Sequence, residues 1–265
     1  MSVLGSRAVD SYLSFMRPLA LKAGKLLKEG FNKRLSITYK GRINPVTDVD
    51  LACERLITRA ISRKYPGHAV LGEEGSDSRG TSEFVWVIDP LDGTVNYAHG
   101  FPVYCVSIGL EYRQEIIAGV VYDPERDELF WSGTGLPAYL NKKRISVTKE
   151  RRLERALLAT GFAYDIGSSR KNNLGYFARM AKRAQGIRRP GSAAIDLCWL
   201  AAGRIDGFWE LKLHPWDTAA ASLIVRQAGG MTTRVDGSTY TIFDPDLLAS
   251  NGYIHRSMMA TLAGK

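Results

Sequence analysis

The first 70 residues carry two stretches in which apolar residues recur at the three- and four-residue spacing of an α-helix. The first covers residues 9–27 and contains Pro18, which predicts either one kinked helix or two shorter ones. The second begins after Thr47 or Asp48, since either residue is a good N-cap, and ends at the Pro-Gly pair of residues 66 and 67. We therefore expect the chain to open with helices.

Short β-rich segments come next. They cover residues 84–88, 103–110, 116–122 and 129–132. A turn at residues 123–127 joins two of them, and residues 138–147 are typical of a hairpin. Because the connections between these strands are short, we expect an antiparallel sheet.

The second half of the chain alternates between strand and helix patterns. The predicted strands cover residues 156–161 and 206–210, and the predicted helices cover residues 172–183, 193–202 and 217–227. Short strands and a terminal helix follow Gly229 and Gly230. The order of helices, sheet, helices, second sheet and helix indicates a layered α+β protein. No repeat or linker is visible, so we expect two halves, residues 1–150 and 151–265, that meet at a short connection.

Composition narrows the class of protein. The chain has 265 residues, of which 45% are hydrophobic and 24% charged, and these values exclude disordered, collagen-like and coiled-coil proteins. No run approaches the ~18 consecutive apolar residues of a membrane span, and the N-terminus lacks a secretory signal. We expect a cytoplasmic protein with no membrane partner. The three cysteines are far apart, so we expect them to be buried apolar residues rather than disulfide or zinc ligands.

The formal net charge is +9, and the excess lies in three basic patches. They cover residues 22–42, 142–155 and 179–189. A basic balance attracts anions, whether phosphorylated metabolites, nucleic acid or a membrane surface, and charge alone does not choose among them. No recognised RNA-binding motif accompanies the patches, so an RNA- or transcription-associated binding protein stays open as an alternative of another class.

The most informative segment is the apolar run 85–88 and the residues after it. The run delivers Asp89 to its end, and a proline then turns the chain so that Asp92 lies beside Asp89. Two neighbouring carboxylates repel each other unless a proton or a hard cation lies between them, and oxygen-only ligands suit Mg²⁺. Gly93 would let the backbone approach a ligand, and Thr94 would open a helix whose N-terminal amides can hold phosphate. The same residue types are also favoured in turns, so a purely structural turn is the competing explanation of this pattern.

Two other acidic motifs fit this segment poorly. An EF-hand needs a bidentate glutamate at the twelfth position, which counted from Asp89 is Gly100. The haloacid dehalogenase-like phosphatases have one residue between their two aspartates, whereas two residues separate Asp89 from Asp92. The extra residue would displace the acid/base carboxylate from the nucleophile, so we do not favour this mechanism.

Two further acidic segments extend the candidate site. Glu73 and Glu74 lie between glycines just before the aspartate strand, and Asp217 lies at the start of a predicted helix. Each alone fits a solvated loop or a helix cap. Together with Asp89 and Asp92 they indicate a multi-magnesium site, which would clamp a phosphate and generate hydroxide from bound water.

With these motifs the chain resembles the inositol monophosphatase family of Mg²⁺-dependent, Li⁺-sensitive sugar phosphatases. The signature segments are Gly72-Glu73-Glu74, residues 86–94, residues 216–220 and residues 228–230. Supporting segments are residues 46–50, 96–110, 189–194 and 206–210. The resemblance covers nearly everything from residue 8 onward.

The resemblance implies a five-layered αβαβα fold, usually dimeric, with metal ions between the two sheet regions. It also implies that Glu73, Asp89 and the Leu91 carbonyl hold the activating Mg²⁺. Asp89, Asp92 and Asp217 would hold a second ion, and a third, weaker ion would share Glu73. The expected cofactor is therefore Mg²⁺, with two to three ions in each site.

The resemblance further assigns the attacking water to Glu73 and to Thr94, with Thr94 paired to Asp50. Hydrogen bonds that join Thr94 to the water and to Asp50 would orient the water for in-line attack. The family pattern also implies contacts to the phosphate and to the polyol hydroxyls. The residues expected to bind substrate are Asp92, Gly93, Thr94, Gly191, Ser192, Ala193 and Glu210.

The expected enzyme is a phosphoric monoester hydrolase that cleaves inositol 1-phosphate by direct attack of water. Histidinol phosphate phosphatases tend to carry tyrosine before the last metal-binding aspartate and to lack the preceding glutamate, so Trp216 and Glu210 favour inositol phosphate. Fructose 1,6-bisphosphate stays open as a second alternative substrate. Some bacterial relatives also act in ribosomal RNA synthesis, which is the basis of the binding-protein alternative. No catalytic role is expected for the four histidines.

Overall fold

The computed structural model describes residues 4–31, 37–40, 44–78 and 80–265. Its helices are α1 (Ser6–Gly30), α2 (Asp48–Lys64), α3 (Thr94–Ala98), α4 (Leu174–Ala181), α5 (Ala193–Ala201), α6 (Pro215–Gln227) and α7 (His255–Leu262). The strands of the first half are β1 (Ile37–Lys40), β2 (Asn44–Thr47), β3 (Ala69–Gly72), β4 (Asp77–Ser78), β5 (Phe84–Asp92), β6 (Cys105–Tyr112), β7 (Glu115–Asp123), β8 (Glu128–Gly133), β9 (Tyr139–Leu140) and β10 (Lys143–Arg144). Those of the second half are β11 (Leu157–Thr160), β12 (Gly186–Arg188), β13 (Gly207–Leu211), β14 (Met231–Thr233) and β15 (Asp246–Ser250).

The strands form two large sheets and one small hairpin of β1 and β2. An eight-stranded sheet has the order β10-β9-β8-β7-β6-β5-β3-β4, and a five-stranded sheet has the order β12-β11-β13-β15-β14. The first sheet is antiparallel as predicted, except that β3 pairs with β5 in parallel. In the second sheet β11 runs parallel to both of its neighbours.

Helices cover both sheets on both faces. α1 and α2 pack on the outer face of the first sheet, and α5 and α6 lie between the two sheets. α4 and α7 close the outer face of the second sheet. The residues of β6 and β7 are buried almost throughout, as expected for strands with helices on both faces. The predicted layered αβαβα fold is therefore confirmed.

The first predicted helix is one helix, although Pro18 lies inside it. Its buried side chains, which include Leu13 and Met16 before the proline and Ala20 and Ala23 after it, lie on one face against the first sheet. An interior proline costs about 3 kcal/mol or more because it removes a hydrogen bond and crowds the preceding turn. Burial of the same apolar face on both sides of Pro18 offsets that cost.

α6 packs so close to the first sheet that the sheet residues directly beneath the helix are glycines. A Cβ atom at Gly109 would lie 2.9 Å from the Cβ of Ala219, and one at Gly119 would lie 2.6 Å from the carbonyl oxygen of Ala220. Small residues on both surfaces let the helix and the sheet backbone approach closely. This contact fixes the distance between α6 and the sheet, and therefore the position of the first turn of α6.

Two predicted boundaries were wrong for local reasons. β5 continues to Asp92 instead of ending at residue 88, with an irregular register between Asp89 and Asp92. Pro90 has no N–H to donate, so the strand passes over it as a bulge. α6 begins at Pro215, two residues earlier than predicted, because proline at the first helical position fits the helix.

The strand β12 was not predicted. It contains two partly exposed residues and the exposed Arg188, and it pairs with β11 at the edge of the second sheet. Three residues are too few to show an alternation of apolar and polar positions. Edge pairing, rather than a local pattern, makes this segment a strand.

The first sheet is built from residues 69–144 and the second from residues 157–250. α6 contacts strands of both sheets, so the halves share one core layer; their division at residue 150 stays a prediction. The three cysteines are buried with free thiols, as expected. No helix within the described ranges is long and apolar enough to cross a membrane. Part of the basic patch 22–42, residues 32–36 and 41–42, lies outside the described residues.

The seating of α6 predicts a stability effect at Gly119. We expect Gly119→Ala to lower the free energy of unfolding by about 1–3 kcal/mol, because the new methyl group would overlap the backbone of Ala220. Gly167→Ala is the matched control, since no atom lies within 4 Å of a Cβ at that position, and its effect should stay within about 0.5 kcal/mol. Urea unfolding followed by circular dichroism measures both, and equal effects would contradict the close contact.

Candidate active site

A cavity of about 820 Å³ opens where the ends of β5 and β13 meet the first turns of α5 and α6. The predicted site residues that line it are Glu73, Asp89, Leu91, Asp92, Gly93, Thr94, Gly191, Ser192, Ala193, Glu210 and Asp217. Asp50 does not line the cavity and is buried behind Thr94. Residues more than 140 positions apart are thus brought to one cavity by the two sheets and the helices between them.

The bulge in β5 shapes the part of the wall between the two aspartates. Leu91 donates its main-chain N–H to Oδ1 of Asp89 at 3.0 Å. The Thr94 hydroxyl lies 3.0 Å from the carbonyl oxygen of Leu91 and can donate to it. The bulge therefore orients the Asp89 carboxylate through its own backbone, and brings Asp92 to the same cavity without the tight turn that was predicted.

Asp92 is held from the opposite side by the start of α5. Its Oδ2 accepts hydrogen bonds from the Ser192 hydroxyl at 2.6 Å and from the main-chain N–H of Ala194 at 2.8 Å. The same Ser192 hydroxyl caps α5 by accepting from the N–H of Ile195 at 3.3 Å. A helix N-terminus favours negative charge, so this contact stabilises the carboxylate across the layers.

Thr94 stands at the start of α3 and connects the cavity to α2. Its hydroxyl lies 3.4 Å from Oδ1 of Asp50, while Oδ2 of Asp50 accepts from the N–H of Thr47 at 2.9 Å and from the Thr47 hydroxyl. Gly93, just before Thr94, has φ of +95° and would place a Cβ 2.8 Å from the carbonyl oxygen of Val103. Both observations require glycine there.

Glu73 reaches the cavity from the end of β3 in the first sheet, and Asp217 reaches it from the helical layer between the sheets. The main-chain N–H of Glu73 donates to the carbonyl oxygen of Ile88 at 3.2 Å, which places Glu73 beside Asp89. Asp217 lies in the first turn of α6, where its Oδ2 accepts from the N–H of His214 at 2.7 Å. His214 therefore contacts this carboxylate through its main chain.

The carboxyl groups of the cavity share an unusual electrostatic environment. Burial raises the pKa of Asp92 to about 6, and burial followed by the charge of Asp92 raises the pKa of Asp217 to about 7. Burial and the charges of Asp217 and Asp92 raise the pKa of Glu210 to about 8. Burial, with Glu73 and the neighbouring aspartates, also raises the pKa of Asp89 well above its ordinary value. Negative charge in this cavity is costly without a compensating positive charge.

The donor chemistry of this wall fits a hard divalent cation. Every candidate ligand is a carboxylate or carbonyl oxygen, as Mg²⁺ prefers. In the described ranges, no group of three acidic, histidine or cysteine side chains is already arranged closely enough to hold a cation. One oxygen each of Asp89, Asp92 and Asp217 is held by protein donors, and this fixes the direction of each carboxylate.

Comparison with known proteins identifies the family of the chain. The model of the inositol monophosphatase family matches residues 8–265. An inositol-1-monophosphatase of Synechocystis sp. is 43% identical over 257 residues, which are 96% of this chain and 90% of that protein. A protein of Aquifex aeolicus named fructose-1,6-bisphosphatase/inositol-1-monophosphatase is 39% identical over 249 residues, with 93% of both chains covered. The crystal structure of the extragenic suppressor protein suhB from Bartonella henselae superimposes with a TM-score of 0.90 at 36% identity, covering 95% of this chain and 98% of that one.

The chain belongs to the inositol monophosphatase family. The predicted enzyme class, a phosphoric monoester hydrolase, is confirmed. The family is metal-dependent, in keeping with the oxygen-rich wall. The carboxylates at the end of β5 and at the start of α6 line the cavity that is the candidate active site of this family member.

Sequence reasoning missed several residues of this inositol monophosphatase cavity. Asp196, in the first turn of α5, is 1% exposed and lines the cavity, and its Oδ1 has no hydrogen-bond partner among the residues that the structure describes. Arg189 and Tyr164 line it as well. An aspartate within the otherwise apolar run 193–202 was a signal for Asp196. Nothing in the local pattern distinguishes Arg189 or Tyr164 from other surface residues.

The raised pKa of Asp217 predicts that the metal-free protein is less stable at higher pH. A carboxyl group whose pKa is about 7 when folded and about 3.8 when unfolded binds its proton more tightly in the folded state. Its contribution to stability is complete below pH ~4 and is lost as the pH rises through 7. Stability in a chelator should therefore fall between pH 5.5 and pH 8.

Asp217→Asn removes this ionisable group and keeps an acceptor for the N–H of His214. In EDTA at pH 8 we expect it to raise the free energy of unfolding by about 1–3 kcal/mol, and by about half as much at pH 5.5. Urea unfolding at the two pH values measures this. Asp10→Asn, at an exposed position of α1, is the control and should change stability little at either pH. A gain that is the same at pH 5.5 and pH 8 would contradict charge repulsion in the cavity.

Proposed function

We propose that this chain hydrolyses inositol 1-phosphate by Mg²⁺-dependent attack of water, without a phosphoenzyme. The observation that carries the proposal is the single cavity that contains Glu73, Asp89, Asp92 and Asp217, with Thr94 and Asp50 joined at its base. The chain is a phosphoric monoester hydrolase. We therefore propose only its substrate, its metal and the roles of individual residues.

The proposed cofactor is two to three Mg²⁺ ions. Glu73, Asp89 and the Leu91 carbonyl would hold one ion, Asp89, Asp92 and Asp217 a second, and Glu73 would share a third. When bound, such ions supply positive charge for the phosphate oxygens and lower the pKa of bound water. The raised pKa values of these carboxyl groups support the assignment, because a cation would offset both the burial and the repulsion that raise them.

The proposed role of Glu73, Thr94 and Asp50 is to hold the attacking water. Asp50 accepts from both the main chain and the hydroxyl of Thr47, so its carboxylate is fixed before Thr94 contacts it. A Thr94 hydroxyl that donates to Asp50 presents its lone pairs to a donor in the cavity. Water could then donate one proton to Thr94 and the other to Glu73, which directs its oxygen lone pair toward phosphorus.

The proposed substrate contacts are made by the other residues of the cavity wall. Gly93 and Thr94 would bind the phosphate, and Asp92, Gly191, Ser192, Ala193 and Glu210 would face the polyol hydroxyls. The Ser192 hydroxyl already donates to Asp92, so its contribution to substrate binding would pass through an acceptor lone pair. Burial raises the pKa of both Glu210 and Asp196 at this end, so their carboxyl groups can form hydrogen bonds with the hydroxyls of a polyol ring.

We extend the proposal to a homodimer that acts in the cytoplasm. The dimer is implied by the family resemblance, and the absence of a membrane-spanning helix within the described ranges agrees with an aqueous compartment. Histidinol phosphate and fructose 1,6-bisphosphate are the alternative substrates. No feature of the cavity favours the RNA-associated alternative over phosphate ester hydrolysis.

The first test is phosphate release from a panel of esters by wild type and Asp89→Asn. The panel contains inositol 1-phosphate, histidinol phosphate, fructose 1,6-bisphosphate and 3′-phosphoadenosine 5′-phosphate, each with and without Mg²⁺. We expect Mg²⁺-dependent release that is greatest with inositol 1-phosphate and falls more than about 100-fold in Asp89→Asn, since loss of a mere outer partner of a metal ligand costs 10–100-fold. Asp123→Asn, a buried aspartate of the β7–β8 turn, is the control. Greatest release with another ester would replace inositol 1-phosphate in the proposal.

The role of Thr94 is tested by two substitutions that differ in one group. Thr94→Val keeps the side-chain shape but lacks the hydroxyl, so we expect kcat to fall about 100-fold or more. Thr94→Ser keeps the hydroxyl and should retain most of the activity. Mn²⁺ binding measured by calorimetry should be similar in both. A kcat for Thr94→Val near that of wild type would exclude Thr94 from positioning the water.

A further inference from the structure

Glu54 is a buried carboxylate on α2 that lies outside the cavity but contacts the loop that carries Glu73. It is 3% exposed. Its Oε2 accepts from the main-chain N–H of Glu74 at 2.9 Å, and its Oε1 accepts from the N–H of Ser76 at 3.0 Å. Both oxygens of one side chain are therefore used to hold the residues on the C-terminal side of Glu73.

The residue on the other side of Glu73 is fitted to the same carboxylate. A Cβ at Gly72 would lie 2.6 Å from Oε2 of Glu54, so no larger residue fits without moving Glu54. The loop is closed by a hydrogen bond from the N–H of Gly72 to the carbonyl oxygen of Ser76 at 3.0 Å. With the bond from Glu73 to β5, these contacts leave the main chain of Glu73 little freedom.

α2 presents three neighbouring inner positions to three different segments of the active site. Asp50 contacts Thr94, and Glu54, one helical turn later, contacts the Glu73 loop. Between them the Cys53 thiol donates to the carbonyl oxygen of Pro90 at 3.3 Å, within the β5 bulge. One rigid helix turn thus sets the spacing between the two groups proposed to hold the attacking water.

We propose that Glu54 is a positioning residue that fixes Glu73 for cation binding through the main-chain N–H groups of Glu74 and Ser76. The inference rests on the proposed function of Glu73 as a metal ligand. Glutamate suits this role because an ionised carboxylate offers only acceptors to the two N–H donors. A glutamine of the same size would direct its own NH₂ group at one of them, and would loosen the loop on that side.

The experiment compares Glu54→Gln with wild type, Glu73→Gln and Asp123→Asn. Asp123 is the matched control, because it too is a buried carboxylate that accepts from two loop N–H groups, at 3.0 and 3.1 Å, but its loop carries no proposed ligand. Mn²⁺ affinity is measured by calorimetry on the folded, metal-free proteins. Mg²⁺ half-saturation and substrate KM are measured in parallel by phosphate release.

For Glu54→Gln we expect Mn²⁺ affinity and Mg²⁺ half-saturation to weaken by about 10–100-fold, as is usual for the outer partners of metal ligands. At saturating Mg²⁺, kcat should recover most of its wild-type value, and KM for the phosphate ester should change little. Asp123→Asn should leave Mn²⁺ affinity unchanged even if it lowers the unfolding midpoint. Equal weakening in both variants, or wild-type affinity in Glu54→Gln, would overturn the role of Glu54.

A second variant covers the case in which Glu54→Gln does not fold. Gly72→Ala leaves the carboxylate chemistry intact but presses a methyl group against Oε2 of Glu54, so the same weakening of Mn²⁺ binding is expected.

The two proposals fail in different ways. If wild type binds no Mn²⁺, or if Glu73→Gln binds it as wild type does, the proposed metal site is wrong. If Glu73→Gln weakens binding and both loop variants do not, only the role of Glu54 is wrong.

Discussion

The constraint on which the whole structure depends is the burial of several carboxyl groups around one cavity. Such groups repel one another and lose hydration, so the fold must hold each of them in place by separate means. Asp89 is held by the bulge of its own strand, and Asp92 by the first turn of α5. Asp217 is held by the residue that precedes α6. The layers of the fold bring these independent supports to one place.

The middle helical layer has a chemical role as well as a packing role. α5 and α6 both begin at the cavity, so the positive ends of two helices face a wall that is rich in negative charge. Their apolar bodies fill the space between the sheets, which makes the position of each first turn a property of the core. Stability of the interior and geometry of the active site are therefore produced by the same contacts.

Local patterns in the sequence predicted the elements with strong periodicity and the residues with distinctive chemistry. The spacing of Asp89 and Asp92 was sufficient to predict two carboxylates at one site, although a strand bulge rather than a turn brings them there. Glu54 and Asp196 show the limit of this reasoning. Glu54 lies on a helix whose pattern says only that one face is apolar, and its partners are distant in sequence. Asp196 interrupts an apolar run, but the run does not say which cavity the side chain faces. Only the packing of α2 on β5, and of α5 between the sheets, reveals what these side chains contact.

The glycines beneath α6 have a consequence for how the protein tolerates change. α6 packs directly on the sheet backbone at Gly109 and Gly119. A larger residue at either position would push the helix away from the sheet, and with it the turn that carries Asp217. A substitution in the buried core would then displace the Asp217 carboxylate in the cavity. The mechanical tolerance of the cavity is therefore set within one helical turn of Asp217, where Ala219 and Ala220 rest on glycines that have no side chains.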